Sequence, residues 1–307
     1  MLDKKINGLI AAPFSPMNDD GSVNLGVINT YAQKLKRDQV KGVFVCGTTG
    51  EGMSLTVDER KQILQEWTKF KGDDFYVIAH VGTTSSKESF HLAKHAQEKG
   101  ADAIATVGPL FLGADNVDTL VGFCAEIACG ASDLPFYYYH IPSVSGVDLK
   151  MASFIEEAGR KIPNFRGIKF THNNFVDMLQ CLEADNEKWE ILHGYDELLL
   201  TGLTLGASGA VGSTYNYIAN LYMSIIGSFR ENKLNEARAA QLISVKLVDI
   251  LNKYGGATVA GKALMKYAGV DCGPCRSPLT TLNDDAYNKL IEEIEKLALF
   301  NPETPGA

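Results

Sequence analysis

The stretch VKGVFVCGTTGEG, residues 40–52, joins a short apolar run to a loop of glycines and threonines, and the helical pattern LTVDERKQILQEWTKF follows at residues 55–70. The apolar run has the length of a buried strand. Thr56 and Glu59 have the spacing of a capping box, which marks the start of a helix. This stretch therefore predicts a strand, a loop and a helix in succession, and the hydroxyl groups in the loop indicate a place that holds a ligand.

The same unit recurs along the chain. Eight short apolar, β-branched or aromatic runs, each followed by glycine or proline and then by a helical pattern, read NGLIAAP, GVFVCG, FYVIAHVG, DAIATVG, PFYYYHIP, RGIKFTH, WEILHGYD and SGAVGS. Eight strand–helix repeats predict an α/β fold of the (β/α)8 TIM-barrel type. A doubly wound open sheet is the competing architecture, but it more often has five or six strands and a GxGxxG turn after the first. No such turn follows NGLIAAP.

Three further helical patterns follow the eighth repeat, and in the last of them the apolar residues form one stripe. We therefore divide the chain into a barrel, residues 1–225, and a C-terminal helical extension, residues 226–307. The extension is expected to pack on the barrel, so that the two form one structural unit.

The composition excludes several classes of protein. At 307 residues and 45% hydrophobic residues, the chain can bury a substantial core. Its net charge is -8 and its basic residues are scattered, which argues against a nucleic-acid partner. The N-terminal apolar segment ends at Pro13 without a cleavage site, so we interpret it as a strand and not as a signal peptide. No segment approaches the roughly 20 apolar residues of a membrane span. We predict a cytoplasmic protein without a membrane partner.

The six cysteines are irregularly spaced and do not form a disulfide framework. CGPC at residues 272–275 has the sequence of a thioredoxin-type redox centre, which requires a preceding strand and a helix that starts at the first cysteine. Here Pro278 follows closely, so we predict a loop and a coincidental motif.

Unusual polar residues follow the predicted strands, where TIM barrels place their active sites. They are Thr48, Thr49, Gly50 and Glu51 after the second strand, His80 at the third, Tyr139 and His140 at the fifth, Lys169 and Thr171 at the sixth, GYDE at 194–197 after the seventh, and GST at 212–214 after the eighth. One barrel mouth is expected to collect them all.

Lys169 lies in a run that should be buried, where the ammonium form is disfavoured and a free amine can attack a carbonyl. A partner carboxylate or an exposed strand end would explain the lysine equally well. Tyr139 precedes it by 169 − 139 = 30 residues, one barrel repeat. Alternation turns Tyr137 and Tyr139 into the barrel together and His140 away from it. We therefore expect the phenol of Tyr139 and the amine of Lys169 to reach a common ligand.

The motifs GTTGEG, YYYHIPSVSG, GIKFTH and GYDE, in this order and spacing, resemble the Schiff-base-forming class I aldolase superfamily that includes N-acetylneuraminate lyase and dihydrodipicolinate synthase. The resemblance covers most of the chain and extends to GPCRSPL at residues 273–279. It implies an imine between Lys169 and a 2-oxo acid, with Tyr139 as proton shuttle. Thr48 and Thr49 would hold the carboxylate of the 2-oxo acid, and Thr171 would also contact the substrate. No metal or organic cofactor is implied, and the assembly implied is a homotetramer.

The resemblance also separates branches of the superfamily. Dihydrodipicolinate synthases carry the form YNxPxRTG, whose arginine grips a second carboxylate, whereas this chain has Val144 at that place. The lyase branch has an apolar residue there and binds a polyol tail after the seventh and eighth strands, which implicates Gly194, Asp196, Glu197, Gly212 and Ser213. The implied reaction is cleavage of N-acetylneuraminate to N-acetylmannosamine and pyruvate. The alternatives are another pyruvate-dependent aldolase or synthase, acting on a 2-keto-3-deoxy sugar acid or making dihydrodipicolinate, and a non-catalytic sugar-acid sensor.

Three residues are expected to stay outside the chemistry. We interpret Glu51 as a brace for backbone amides and His80 as a strand-end histidine with satisfied nitrogens. Many members of the superfamily place a tyrosine two residues after the proline that follows the fourth strand, where it reaches the neighbouring subunit. Here that position is Phe111, which leaves such a relay in doubt.

Overall fold

The structure is a computed structural model that describes residues 5–300. Eight parallel strands close into a barrel in chain order, and the last strand pairs with the first. The predicted TIM barrel is confirmed. The strands are β1 Gly8–Ala11, β2 Gly42–Val45, β3 Tyr76–His80, β4 Ala103–Val107, β5 Phe136–His140, β6 Phe165–Phe170, β7 Glu190–His193 and β8 Gly209–Gly212.

Each strand is followed by at least one helix on the outside of the barrel. The helices are α1 Val27–Arg37, α2 Val57–Thr68, α3 Ser86–Glu98, α4 Val117–Ala128, the short α5 Pro142–Ser145, α6 Met151–Lys161, α7 Phe175–Glu183, α8 Leu199–Leu205, α9 Tyr215–Arg230, α10 Leu234–Lys253, α11 Gly256–Tyr267 and α12 Asp284–Glu295. None of the helices in residues 5–300 is long and apolar enough to cross a membrane.

The predicted capping box forms completely at the start of α2, and α3 begins with a single side-chain cap. At the start of α2, Thr56 accepts a hydrogen bond from the Glu59 backbone and the Glu59 side chain accepts one from the Thr56 backbone. At α3, Ser85 accepts from the Glu88 backbone. Such caps satisfy backbone N–H groups that have no partner within the helix, so they set where each helix begins.

Alternation along the strands creates two buried clusters. One lies between the sheet and the helices and includes Tyr138. The other fills the barrel, where Tyr137 and Tyr139 lie with Phe44, Ile78 and Leu192. The predicted inward direction of Tyr137 and Tyr139 is confirmed, since successive side chains of a strand point to opposite faces.

Of the helices after the barrel, α10 packs against α8 and α9, α11 contacts α9, and α12 packs on α10 and α11. The predicted boundary at residue 225 falls inside α9, which continues to Arg230 because a strand-to-helix unit ends where its helix ends. The outer ends of the two predicted ranges, residues 1–4 and 301–307, lie outside the described residues.

CGPC lies in a loop between α11 and α12, as predicted, with Cys272 buried and no helix starting at it. Burial raises the pKa of the Cys272 thiol to about 12. A thioredoxin-type cysteine needs a lowered pKa to react as a thiolate. The structure therefore gives this motif none of the features of a redox centre.

Candidate active site

The C-terminal ends of the strands surround a cavity of about 260 Å³ at the barrel mouth. All ten residues predicted to form the site line it: Thr48, Thr49, Tyr139, Lys169, Thr171, Gly194, Asp196, Glu197, Gly212 and Ser213. They come from the ends of five strands, which the closed barrel brings to one place. Their individual roles stay predictions.

Lys169 is buried on β6, with 5% of its surface exposed. Its Nζ donates a hydrogen bond to Thr171 Oγ1 at 2.8 Å and lies 3.7 Å from the centre of the Tyr139 ring. No salt bridge of Lys169 to a carboxylate occurs within residues 5–300, whereas buried Lys34 and Lys262 each have one. Both structural explanations for this lysine, a partner carboxylate and an exposed strand end, therefore fail.

Tyr139 and Lys169 are direct register partners on β5 and β6. This confirms that the two side chains start from equivalent depths on neighbouring strands, as the 30-residue separation predicts. The Tyr139 hydroxyl lies 3.4 Å from Thr48 Oγ1, a distance that allows a weak hydrogen bond. An amine, a phenol and a threonine hydroxyl thus meet in one cavity, which is the set of groups that acid–base chemistry on an imine requires.

The buried side chain of Glu51 anchors the loop at residues 47–52 to the C-terminal part of the chain. Glu51 Oε2 accepts a hydrogen bond from the Arg276 backbone N–H at 2.7 Å, and Oε1 lies 2.7 Å from Lys262 Nζ. Lys262 Nζ also donates to the Pro274 carbonyl at 2.7 Å. The expectation that Glu51 braces a backbone amide is confirmed, and Glu51 is not among the residues that line the cavity.

The segment GPCRSPL, residues 273–279, contacts both the threonine loop and helix α2 through Arg276. Arg276 makes a bidentate pair with Glu59, at 2.6 and 2.8 Å, and donates to the Gly21 carbonyl. The guanidinium of Arg276 lowers the pKa of Glu59 to about 2. The segment GPCRSPL therefore ties the threonine loop and the start of α2 to the loop between α11 and α12.

Asp196 and Glu197, which we predicted to act together, have different surroundings. Asp196 is buried, and its Oδ2 accepts hydrogen bonds from the backbone and hydroxyl of Thr214 at 2.8 and 2.7 Å. Glu197 is half-buried at the cavity wall. Burial raises the pKa of both carboxyl groups, and for Asp196 the Thr214 hydrogen bonds oppose that effect. Asp196 thus joins the β7 and β8 loops, and Glu197 is the freer of the two toward a ligand.

Gly194 and Gly212 both line the cavity, and neither position has room for a side chain. A Cβ at Gly194 would overlap the Thr171 hydroxyl, and one at Gly212 would overlap the Asp196 carboxylate. Glycine at both positions therefore leaves room for the Thr171 hydroxyl and the Asp196 carboxylate.

The two histidines at strand ends play structural parts. His80 Nε2 accepts a hydrogen bond from the Val107 backbone at 3.3 Å, and its Nδ1 lies 3.0 Å from the Cys46 carbonyl. Burial lowers the pKa of His80 to about 3, so its ring is neutral at neutral pH. The expectation of a satisfied histidine is confirmed. His140 points out of the barrel into the layer between sheet and helices, as alternation predicts.

Comparison with known proteins gives the family. A model of the dihydrodipicolinate synthetase family matches residues 5–297. The chain belongs to that family. Members similar to it include the N-acetylneuraminate lyase of Gallus gallus, 40% identical over 298 residues that cover 96% of this chain and 97% of that protein. The N-acetylneuraminate lyase of Homo sapiens is 42% identical over 280 residues, covering 90% of this chain and 88% of that one.

Solved structures show the same similarity. The structure of Proteus mirabilis N-acetylneuraminate lyase superposes with a TM-score of 0.94 at 36% identity, and the alignment covers 97% of this chain and 100% of that one. The resemblance to the superfamily that the sequence motifs indicate is thereby confirmed.

Part of the cavity wall consists of residues that were not predicted from the sequence. Tyr195 lines it from within GYDE, where its neighbours had already been singled out. The helices α10 and α11 also contribute to the wall, through Val248, Leu251 and Asn252 of α10 and Ala257 of α11. No motif in these helices indicates a site. The C-terminal helices therefore complete the wall opposite the strand ends.

Proposed function

We propose that this protein is a class I aldolase that cleaves N-acetylneuraminate to N-acetylmannosamine and pyruvate. One observation carries the proposal: Lys169, a buried lysine that has no carboxylate partner among residues 5–300, lies in register with Tyr139 at the barrel mouth. Relatives that cover most of this chain are named N-acetylneuraminate lyase, which supports this substrate. No cofactor is part of the proposal, because an imine supplies the electron sink.

The first steps belong to Lys169. Its amine attacks the C2 carbonyl of the open-chain substrate, and loss of water with uptake of one proton from solvent gives a protonated imine. Thr48 and Thr49 would hold the adjacent carboxylate through hydroxyl and backbone N–H groups, which can bind an anion without a basic surface. Thr171, 2.8 Å from Nζ, is placed to orient the amine for attack.

Cleavage then needs a base at C4. The electron pair of the C3–C4 bond moves into the protonated imine to give an enamine, while the C4 hydroxyl loses its proton toward Tyr139 and becomes the aldehyde of N-acetylmannosamine. The substrate carboxylate assists this transfer. Protonation of the enamine at C3 and hydrolysis of the resulting imine release pyruvate and regenerate the free amine of Lys169.

The decisive experiment compares kcat/KM of the purified protein on three reactions. These are cleavage of N-acetylneuraminate, cleavage of a 2-keto-3-deoxy sugar acid, and condensation of pyruvate with aspartate semialdehyde. We expect the first to be fastest and the last to be negligible, because Val144 offers no hydrogen bond to a second carboxylate. A faster condensation would overturn the substrate while keeping the Schiff base, and absence of all turnover would favour a sensor.

Substitutions at the two neighbouring carboxylates are expected to separate their roles. Glu197→Gln should lower kcat/KM for N-acetylneuraminate about ten- to a hundredfold, because a charged hydrogen bond to a sugar hydroxyl contributes roughly 1.5–3 kcal/mol. Its melting temperature should stay close to that of the unmodified protein. Asp196→Asn should in addition destabilise the fold by about 1–3 kcal/mol, since its Oδ2 accepts two hydrogen bonds from buried Thr214.

Steady-state kinetics and thermal unfolding of both variants measure this difference. Borohydride trapping of pyruvate serves as the control and should survive both changes, because the pyruvate part of the site lies at Thr48, Thr49 and Lys169. A Glu197→Gln enzyme with unchanged kcat/KM would exclude Glu197 from the tail site.

We further propose a homotetramer in the cytoplasm that acts on small molecules and has no nucleic-acid or membrane partner. Phe111 is 97% exposed and Leu112 is 79% exposed at the barrel mouth loop after β4. Apolar side chains so exposed on a single chain suit burial between subunits. Light scattering coupled to size exclusion measures the assembly, and a monomer would contradict it.

A further inference from the structure

A cluster of metal-ligating side chains lies outside the cavity, on the helix-facing side of the sheet. Among the described residues, His140, Asp148 and His172 bring one ligand atom each to within 4.8 Å of one another. We propose that these three residues form a binding site for a divalent transition metal ion of the zinc type. The proposal is independent of the substrate assigned above.

The distance between the two imidazoles fits such an ion. His140 Nε2 and His172 Nδ1 lie 3.4 Å apart. This is long for a hydrogen bond to nitrogen, since N–H donors usually lie 2.7–3.2 Å from their acceptors. A tetrahedral Zn²⁺ with Zn–N bonds of about 2.0–2.1 Å holds two nitrogen ligands about 3.3–3.4 Å apart. The rings are also close to perpendicular, at 69°, with centres 5.3 Å apart.

The chemistry of the set is that of a transition metal site. Two imidazole nitrogens and one carboxylate oxygen are ligands that Zn²⁺ takes in proteins, with a water as the fourth ligand. Each histidine would bind the ion through one ring nitrogen, His140 through Nε2 and His172 through Nδ1. The carboxylate of Asp148 supplies one negative charge, and its exposed side chain can move the remaining distance.

The elements around the cluster make it partly preformed. His140 ends β5 and is buried, and His172 lies two residues beyond the end of β6. Phe170 packs against the His140 ring at 5.1 Å and stacks with the His172 ring at 6.3 Å, which limits the movement of both. Asp148 lies on the segment between α5 and α6 and closes the exposed side. Rings held in place reduce the ordering that metal binding requires.

The proposed metal site lies beside β5 and β6, the strands that bear Tyr139 and Lys169. His140 is the neighbour of Tyr139, and His172 is the neighbour of Thr171, which contacts Lys169. A bound ion would link the ends of β5 and β6 from outside the barrel. We therefore assign it a stabilising role in which the ion does not touch the substrate.

The test is titration of the metal-free, untagged protein with Zn²⁺ by calorimetry and with Co²⁺ by visible absorption. We expect a single saturable site per chain, with the intense d–d bands of a four-coordinate Co²⁺. His172→Gln and Asp148→Asn should each weaken binding at least about tenfold, because each removes a direct ligand. Zn²⁺ should raise the melting temperature of the unmodified protein and not that of His172→Gln.

His91→Gln is the matched control, because it removes an exposed histidine of α3 and should leave binding unchanged. Cys129→Ser tests the exposed thiol as an alternative ligand in the same way. If the unmodified protein shows no saturable site, or if His172→Gln binds as tightly as His91→Gln, the two imidazoles form a hydrogen bond only and the proposal is wrong. Neither result would bear on the aldolase activity, which is measured separately.

Discussion

Lys169→Met is expected to abolish covalent trapping of pyruvate by borohydride and to reduce turnover below detection. Met keeps the length and burial of the side chain but has no amine, so no imine can form. Removing the nucleophile of a covalent enzyme costs on the order of 10⁶ in kcat. Lys169→Arg should be equally inactive, since a guanidinium stays protonated and cannot attack the carbonyl.

Peptide mapping of the trapped, unmodified protein supplies an internal control. Lys262 is 4% exposed and Lys169 is 5% exposed, so the two lysines are buried alike. Only Lys262 has a carboxylate partner, Glu51, at 2.7 Å. The Nζ of Lys262 is therefore held in an ion pair away from the cavity, whereas that of Lys169 lies at the cavity beside a hydroxyl and an aromatic ring. We expect the adduct on Lys169 alone, and an adduct on Lys262 or on a surface lysine would refute the mechanism.

Tyr139→Phe is expected to retain pyruvate trapping and to lose cleavage about 10²- to 10⁴-fold in kcat, the usual worth of a positioned acid or base. Imine formation depends mainly on the amine of Lys169, whereas breaking the C3–C4 bond requires that the C4 hydroxyl give up its proton. Trapping followed by mass spectrometry reports the first step, and a coupled pyruvate assay reports the second.

Tyr137→Phe is the matched control for this prediction. Tyr137 lies two positions earlier on the same strand and the same inner face, where its hydroxyl donates to Glu190 at 2.9 Å. It does not line the cavity, so its loss should leave kcat close to that of the unmodified enzyme. A nearly fully active Tyr139→Phe enzyme would move the proton shuttle elsewhere, and Thr171 would be the next residue to test.

The sequence by itself determined the barrel, the order of its strands and ten of the residues that line its mouth. Strand alternation and helix capping are local, so the repeated run of apolar residues, glycine and helix is readable without any long-range contact. The same alternation placed Tyr139 inside and His140 outside. Because parallel strands of a barrel end at one face, residues such as Thr48 and Lys169, far apart in the chain, were assigned to one cavity correctly.

Only the tertiary structure decided what those residues contact. The pairing of Glu51 with Lys262 joins a loop after β2 to a helix beyond the barrel, and no period in the sequence relates them. The hydrogen bond from Thr214 to Asp196 and the contribution of α10 to the cavity wall likewise join segments that are distant in the sequence. Hydrogen bonds and ion pairs between distant segments depend on how the elements pack, and packing is set by the whole chain at once. The positions of Glu51 and Asp196 at strand ends were therefore predictable from the sequence, whereas their partners Lys262 and Thr214 were not.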